Sequence, residues 1–439
     1  MMNDPFLEAQ IKKSLAVSWK EGIPAAIMLG IMDYYLIPYG LFLGATAQEI
    51  GFLIAIPNLL ASISQLLAVK VVRLAGSRLR FLVCATVIQG MVLAPIALLC
   101  FLPLKGQILI LIFLVTAFKI SGNLIATAWG SLLSDYLPPD KRGKYFGWRS
   151  QVVGMAGVSG VGLAGLSLYL ISRFHPALGF FALFLSASLL RCVSSCLMSK
   201  MIDLPSHPIP GSDFTFLMFL RRFRQSNFVK YVLYVASITF AVHLASPYFS
   251  VYMLKDLKFN YLAYMLVHMS AVTMGLIAFP MWGKHADLLG NARILKITSL
   301  LIPLIPFLWL FSKQLIYLMC VEMFSGFIWG GFNLCAANFI YDAVSPAKRV
   351  RCLGYFNLIN GIAICAGASL GGFLAEKLPL LWGYSMLTLF LLSGIIRCLA
   401  HFFLSRHFHE VRQPTKAVSS SELFFSVVGI QPISELDRE

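Results

Sequence analysis

Long runs of apolar residues, separated by short polar segments, repeat along almost the whole chain. A helix that crosses the hydrocarbon layer of a bilayer needs about 20 such residues. Strands of a membrane barrel would instead alternate apolar and polar residues over about ten positions, and these runs do not alternate. The pattern predicts an all-α membrane protein with about twelve spans, numbered 1 to 12 here: residues 23–44, 48–69, 81–103, 107–134, 146–171, 177–199, 230–253, 262–283, 294–311, 314–341, 354–375 and 380–404.

Composition supports a membrane protein. The 439 residues are 59% hydrophobic and 12% charged, with a mean hydropathy of +0.80, whereas soluble domains carry about 25% charged residues. The nine cysteines are scattered and form no pair of metal-binding spacing, so we expect no metal and no other cofactor.

The basic residues alternate between the two sides of the predicted bundle, so the net charge of +16 gives no indication of a nucleic-acid partner. Of the 35 Lys and Arg residues, 26 fall on the side of both termini and three lie inside spans. The other six lie on the opposite side: Lys105, Arg173, Lys255, Lys258, Lys313 and Lys377. Because Lys and Arg stay cytoplasmic, this distribution predicts cytoplasmic termini and an even number of spans. We expect the protein in the cell (inner) membrane.

A short string occurs twice at an offset of 207 positions. The first copy is Asp135, Pro139, Lys141, Arg142 and Gly147, and the second is Asp342, Pro346, Lys348, Arg349 and Gly354. A fixed offset of nearly half the chain indicates two structurally equivalent halves. Duplicated helical bundles are a common transporter design, with the substrate site between the repeats.

The predicted organisation has five parts. A cytoplasmic lead-in (residues 1–22) precedes an N-terminal six-helix bundle (23–200). A cytoplasmic linker with an amphipathic helix from Ser212 (201–229) joins it to a C-terminal six-helix bundle (230–404), and a cytoplasmic tail follows (405–439). Glycines in span 5 (Gly154, Gly157, Gly160, Gly162, Gly165) and span 11 (Gly361, Gly367, Gly371, Gly372) predict close helix contacts.

With these features the chain resembles the major facilitator superfamily of transporters. Gly283, Asp287, Gly290 and Arg293 match the family's G-x-x-x-D-x-x-G-x-x-R signature between spans 8 and 9. The duplicated string after spans 4 and 10 is a second match, and the resemblance covers roughly residues 15–405. It implies two pseudo-symmetric six-helix bundles that rock about a central cavity.

The equivalent loop between spans 2 and 3 departs from the signature. Arg73 stands where the family has Asp, and Val69 stands where it has the first Gly, while Gly76 is retained. In the other loop, Asp287 is expected on a tight turn flanked by Gly283 and Gly290.

The charges of these loops predict a gate on the cytoplasmic side. Asp287 can meet a helix N-terminus or an arginine such as Arg142 while that side is shut. Asp135, Arg142, Asp342 and Arg349 are candidates for the same gate. The alternative is that these charges only hold helix ends at the headgroups.

Ionisable residues in the middle of spans are the candidates for the transport site, because each costs at least about 2.5 kcal/mol there unless it has a partner or a task. Asp33 lies about halfway along span 1, and Lys119 about halfway along span 4 with Asn123 one turn further on. The resemblance places spans 1, 4, 7 and 10 around one water-filled cavity. Asp33 and Lys119 then form either a permanent salt bridge or an exchangeable site for a proton or cargo.

Spans 7 and 10 supply the other candidates. Glu322, Trp329 and Asn333 fall on one stripe of span 10 at helical spacing. His243 in span 7 is either a satisfied buried histidine or a proton carrier. We expect Arg191 and Arg397, in spans 6 and 12, to snorkel towards the headgroups or to fix helix packing.

The leading hypothesis is a monomeric secondary transporter of a small solute, with alternating access and proton coupling, in contact with membrane lipids. Lys119 beside Asp33 slightly favours a polar or anionic metabolite over an amphipathic cation, whose proton-driven export is the alternative. A non-transporting sensor or scaffold is an alternative of another class. An enzyme is not expected, because its active groups would cluster near one leaflet, and the only close set, His285 and Asp287, belongs to the loop signature. Direct ATP drive of transport is not expected, because no P-loop motif is present.

Overall fold

The computed structural model of this protein describes residues 5–204 and 226–411. That part of the chain contains twelve helical segments long and apolar enough to cross a membrane, which confirms the predicted all-α architecture. The predicted amphipathic helix from Ser212 lies outside the described residues.

The first six spans are single helices: Pro5–Phe42, Ala47–Leu74, Arg78–Leu98, Gln107–Tyr136, Pro139–Ser172 and Pro176–Met198. Span 1 therefore begins within the predicted lead-in, because the polar residues before position 23 continue the helix without a break. Span 2 starts at a capping box in which Thr46 and Glu49 satisfy each other's backbone N–H groups.

Among the last six spans, spans 7 and 9 are interrupted, and spans 8, 10, 11 and 12 are continuous helices. Span 7 comprises Asn227–His243, Ser246–Val251 and a π-turn at Tyr252–Asp256. Span 9 comprises Asn291–Leu301 and Leu304–Leu308. Pro247 and Pro303 lie at the two breaks, where a missing N–H ends the regular ladder. Spans 8, 10, 11 and 12 are Tyr261–Leu289, Leu315–Ala343, Pro346–Lys377 and Ser385–Leu404.

The described residues form two compact units. Unit 1 contains the first six spans together with Pro247–Leu266, and unit 2 contains residues 226–246 and 267–411. This division departs from the predicted one, since the end of span 7 and the start of span 8 join the first bundle. The reason is direct contact: Tyr264 donates its hydroxyl to the backbone oxygen of Tyr34 at 2.8 Å, and Lys255 donates to the backbone oxygen of Ala45 at 2.7 Å.

Glycines bring helices close together within each unit. In unit 1, a side chain at Gly160 would overlap Ile27 of span 1. In unit 2, a side chain at Gly326 would overlap the carbonyl oxygen of Ala271 in span 8, and one at Gly367 would overlap that of Phe240 in span 7. The prediction of close contacts at Gly160 and Gly367 is confirmed.

The internal repeat extends to the segments that leave spans 6 and 12. Asp203 accepts hydrogen bonds from Ser77 Oγ at 2.5 Å and from the Leu79 N–H at 3.3 Å, at the start of span 3. At the same offset of 207 positions, Glu410 accepts from the Ala292 N–H at 2.7 Å, at the start of span 9. An acidic residue therefore caps the corresponding helix in both units.

A buried phenylalanine anchors the second of these exit segments. Phe408 is fully buried, with its ring centroid 4.9 Å from that of Tyr234 and 5.7 Å from that of Phe339. The backbone of the neighbouring His409 forms two 2.8 Å hydrogen bonds with the side chain of Asn227: its N–H donates to Oδ1, and its carbonyl oxygen accepts from Nδ2. The chain after span 12 thus holds spans 7, 9 and 10 together at their common end.

Candidate transport site

Asp33 and Lys119 form an ion pair between spans 1 and 4 of unit 1. The Lys119 Nζ lies 2.9 Å from Asp33 Oδ1, joining span 1 to span 4. Their side chains are nevertheless open: 53% of Asp33 and 28% of Lys119 is exposed. The two residues predicted to meet do meet, and both charges remain accessible.

Asn123 lies one helical turn beyond Lys119 and is half-buried. Residues four apart share a helix face, so Lys119 and Asn123 belong to the same side of span 4. Span 1 leaves Asp33 exposed between the buried Met32 and Tyr35. The open polar surface of unit 1 is thus built from one helix turn of span 1 and two of span 4.

The span 10 candidates divide between two environments of unit 2. Glu322 accepts a 3.2 Å hydrogen bond from the indole N–H of Trp309 in span 9, and Trp309 is itself buried. Trp329 packs edge-on against Phe332, with 5.4 Å between ring centroids. Asn333 is exposed. Although the three share a helical stripe, Glu322 has a structural partner and Asn333 is open.

His243 bonds to its own helix. Its Nδ1 lies 2.9 Å from the backbone oxygen of Thr239, and its Cβ lies against Gly367 of span 11. The Thr239 hydroxyl donates to Asn360 Oδ1 at 3.0 Å. This arrangement fits a satisfied histidine that helps to pack span 7 on span 11.

The duplicated aspartates clamp the starts of spans 3 and 9. Asp135 pairs with Arg78 at 2.7 Å, and Arg78 also donates to Ser131 and to the backbone oxygen of Leu204. In unit 2, Asp342 accepts from Asn291 at 2.7 Å. Each aspartate thus joins two helices of its own unit.

The duplicated arginines cap the helices that precede them. Arg142 donates to the backbone oxygens of Ser134 and Leu137 at 2.7 and 2.9 Å. Arg349 donates to those of Tyr341 and Val344 at 3.1 and 3.4 Å. Carbonyls at a helix C-terminus lack intrahelical partners, so these guanidinium groups stabilise the ends of spans 4 and 10.

The prediction that Asp287 lies on a tight turn is wrong, because the turn begins only after the end of span 8. Span 8 continues as a helix through Leu289, so Gly283 and Asp287 are helical, and Asp287 is exposed in the last turn. The chain reverses at Gly290, whose φ of +89° is accessible mainly to glycine. Arg293, half-buried, lies in the first turn of span 9.

A buried network around Glu21 was missed by the sequence analysis. Glu21 Oε1 accepts from Trp129 at 3.0 Å and from Arg149 at 3.2 Å, and Oε2 accepts from Ser194 at 3.0 Å. The Arg149 guanidinium also stacks on the Trp129 ring at 4.2 Å. The sequence analysis assigned Glu21 to the lead-in because it precedes the first apolar run. The helix of span 1 in fact includes it, and nothing in the sequence besides the carboxylate itself indicates its buried partners.

Arg191 and Arg397 do not snorkel. They are 5% and 1% exposed. Arg191 donates to Gln89 Oε1 at 2.7 Å, and Arg397 donates to Ser393 at 3.1 Å and to two backbone oxygens at 3.4 Å. Of the two expected roles, the structure supports the fixing of helix packing.

Solved structures of transporters share this fold. The D-xylose-proton symporter superposes with a TM-score of 0.71 at 14% identity, covering 93% of this chain and all of that one (100%). The nucleoside transporter NupG superposes with a TM-score of 0.66 at 14% identity, covering 91% of this chain and 98% of that one. At such low identity these likenesses concern the fold alone.

Sequence comparisons identify the family. The class B tetracycline resistance protein of Escherichia coli is 27% identical over 165 residues, a match that covers 36% of this chain and 40% of that protein. The sequence profile of the Major Facilitator Superfamily matches residues 22–368, well over half of the chain. Residues 5–204 and 226–411 hold twelve helices long enough to span a membrane. This multi-pass integral membrane protein is a transporter rather than an enzyme, and it belongs to the Major Facilitator Superfamily.

Proposed function

We propose that this transporter moves a small polar or anionic metabolite by alternating access, driven by protons, and that Asp33 and Lys119 are central to its site. The observation that carries the proposal is the exposed ion pair. A charge at the bilayer centre costs about 2.5–3.5 kcal/mol even on the lowest scales. An open Asp33 and an open Lys119 in the middle of two apolar helices therefore favour a face that meets water.

The chemistry of the pair suggests how it acts. A protonated Asp33 no longer holds Lys119 by charge, which releases the ammonium group for an anionic group of the cargo. Deprotonation restores the pair and expels the cargo. This exchange would link a proton to each transport step, whereas a permanent salt bridge would leave transport independent of the state of Asp33.

Asn123, Asn333 and Trp329 supply further polar or aromatic groups for the cargo, since Asn333 is exposed and the other two are half-buried. Glu322 and His243 are weaker candidates because each already has a hydrogen-bond partner in unit 2. Asp287, exposed at the end of span 8, is proposed as the gating acid.

The experiment begins with a thermal-shift screen of the purified protein against metabolites and drugs at two pH values. Hits are then tested for uptake into proteoliposomes with an imposed pH gradient. We expect Asp33→Asn to abolish pH-driven accumulation and Lys119→Gln to weaken binding of an anionic hit at least tenfold. The matched controls are Glu8→Gln and Lys105→Gln, which remove the same charges at exposed positions. Unchanged proton dependence in Asp33→Asn would exclude its coupling role.

A second candidate function is proton-driven export of amphipathic drugs. The partial match to the tetracycline resistance protein favours it, and a cationic cargo would interact with Asp33 and be repelled by Lys119. Expression in drug-hypersensitive cells separates the two candidates. Export predicts resistance that Lys119→Gln preserves for cationic drugs; metabolite transport predicts no resistance. Binding of a hit without any flux would instead favour a sensor or scaffold.

A further inference from the structure

Spans 1 and 5 end on the side of the membrane that the charge pattern predicts to be extracytoplasmic, called the distal side here. A cavity of about 430 Å³ opens at this end of unit 1. Its size falls within the range of small-molecule sites, about 300–1,000 Å³. Spans 1, 5 and 7 and the start of span 8 all contribute to its walls. Its lining contains none of the candidate transport residues.

Two cations line this cavity. Arg173 follows the last residue of span 5, and Lys255 lies in the π-turn that ends span 7. The lining includes no carboxylate, and within the described chain no acidic oxygen lies within ion-pair distance of either. Asp256 follows Lys255 but does not line the cavity. The distal loops carry few basic residues, so two at one cavity form a local concentration of positive charge.

Both cations are held in place by neutral groups. Arg173 stacks on the Tyr169 ring at 4.6 Å and donates to the Tyr169 hydroxyl. Lys255 donates to the backbone oxygen of Ala45 at 2.7 Å. Among described residues each has this one hydrogen-bond acceptor, while an arginine offers five N–H donors and a lysine three. Most donors of both groups remain for a ligand.

The rest of the lining combines one further donor with an apolar wall. The Ser172 hydroxyl is buried and finds no hydrogen-bond partner among the described groups. Asn260 adds an amide. The wall consists of Pro38, Leu41, Phe42, Leu254 and Phe259. A ligand that fits must therefore carry negative charge at one end and tolerate apolar contact at the other.

We propose that this cavity binds a phosphate-ester anion, with the phosphate at Arg173 and Lys255 and the organic part against the apolar wall. Guanidinium groups match phosphate geometry in a bidentate manner, and basic pockets between membrane helices take lipid headgroups. The ester belongs either to an anionic phospholipid of the distal leaflet or to a soluble metabolite. Binding here does not depend on the proposed transport site.

The test measures thermal unfolding of the purified protein in neutral detergent with phosphatidylglycerol, phosphatidylcholine of the same acyl chains, or glycerol 3-phosphate. Phosphatidylglycerol is expected to raise the unfolding temperature more than phosphatidylcholine, and high salt should reduce the difference by screening. A shift with glycerol 3-phosphate identifies a soluble ester as a source; a shift with phosphatidylglycerol alone identifies the lipid.

The double variant Arg173→Gln/Lys255→Gln should weaken apparent binding at least tenfold, whereas the control Lys105→Gln/Lys313→Gln should retain it. Equal shifts with both lipids, or a full shift in the first variant, would overturn the proposal. Native mass spectrometry of the unchanged protein gives an independent readout if that variant does not fold. Preferential retention of phosphatidylglycerol supports the site, and equal retention of the two lipids rejects it.

Discussion

At the scale of single residues, the first span uses two of its carboxylates, Glu21 and Asp33, in two different ways. Glu21 is 2% exposed and fully engaged by neighbours from spans 4, 5 and 6. Asp33, twelve positions along the same helix, has one ion-pair partner and is half exposed. A carboxylate that is enclosed by donors stabilises the fold, while one that stays open can exchange partners.

Reversing the two charges distinguishes between the two hypotheses for the Asp33–Lys119 pair, a site whose ion-pair partners exchange and a permanent salt bridge. In the double variant Asp33→Lys/Lys119→Asp, a static bridge keeps its attraction and transport should survive. An exchangeable site loses the acid on span 1 and the cation on span 4, so we expect a folded protein whose pH-driven uptake falls at least tenfold. Uptake close to that of the unchanged protein would contradict the exchange mechanism.

Glu21 gives a prediction about stability. Removing one partner of a buried ion pair costs about 3–5 kcal/mol because the other charge is left uncompensated. Glu21→Gln should therefore lower the free energy of unfolding by about 3 kcal/mol, measured by denaturation in mixed micelles. Glu8→Gln, an exposed position on the same helix, should have little effect. Equal stability of the two variants would show that the network contributes little.

At the scale of elements, small residues set how closely helices approach. Spans 8 and 10 cross where Gly326 and Gly330 meet Ala271 and Gly275, two small residues four positions apart on each helix. In a bilayer, helix association depends on such close packing and on interhelical hydrogen bonds. The backbone of one helix thus occupies the space that a side chain on the other would need.

Adding a methyl group at this crossing should destabilise unit 2. Gly326→Ala places a carbon onto the Ala271 carbonyl oxygen, and overpacking of this kind typically costs about 1–3 kcal/mol. Gly130→Ala in span 4 is the matched control, because a side chain there meets open space and alanine favours a helix by up to about 1 kcal/mol. Thermal unfolding that falls in the first variant but not in the second is the expected result; a fall of equal size in both would be inconsistent with the crossing.

The sequence predicted the elements well where the signal was local. Apolar run lengths revealed twelve spans, and the mid-span positions of Asp33 and Lys119, with the family's helix arrangement, predicted their meeting. Glu21 was missed because its partners Trp129, Arg149 and Ser194 are more than 100 positions away. The turn around Asp287 was misjudged because Gly283 is tolerated within a helix and only Gly290 adopts a positive φ.

At the scale of the whole molecule, the two units share their duplicated contacts but not their charges. Asp203 and Glu410 cap spans 3 and 9, which correspond to each other in the two units. Asp135 and Asp342 accept hydrogen bonds from side chains at the starts of the same two spans. The mid-span ion pair belongs to unit 1, and the central candidates of unit 2 are neutral or already bonded. Duplication therefore explains the framework, while the ion pair of the proposed site depends on residues that only unit 1 carries.

In the proposed mechanism, the face with Asp33 and Lys119 meets a water-filled path whose access alternates between the two sides of the membrane. The most direct measurement is labelling of Asn123→Cys, in a chain whose native cysteines are replaced, by a membrane-impermeant thiol reagent. We predict labelling in both right-side-out and inverted vesicles, with rates that change in opposite directions when a pH gradient is imposed. Absence of labelling from either side, as for a residue in lipid or in a closed core, would contradict the account.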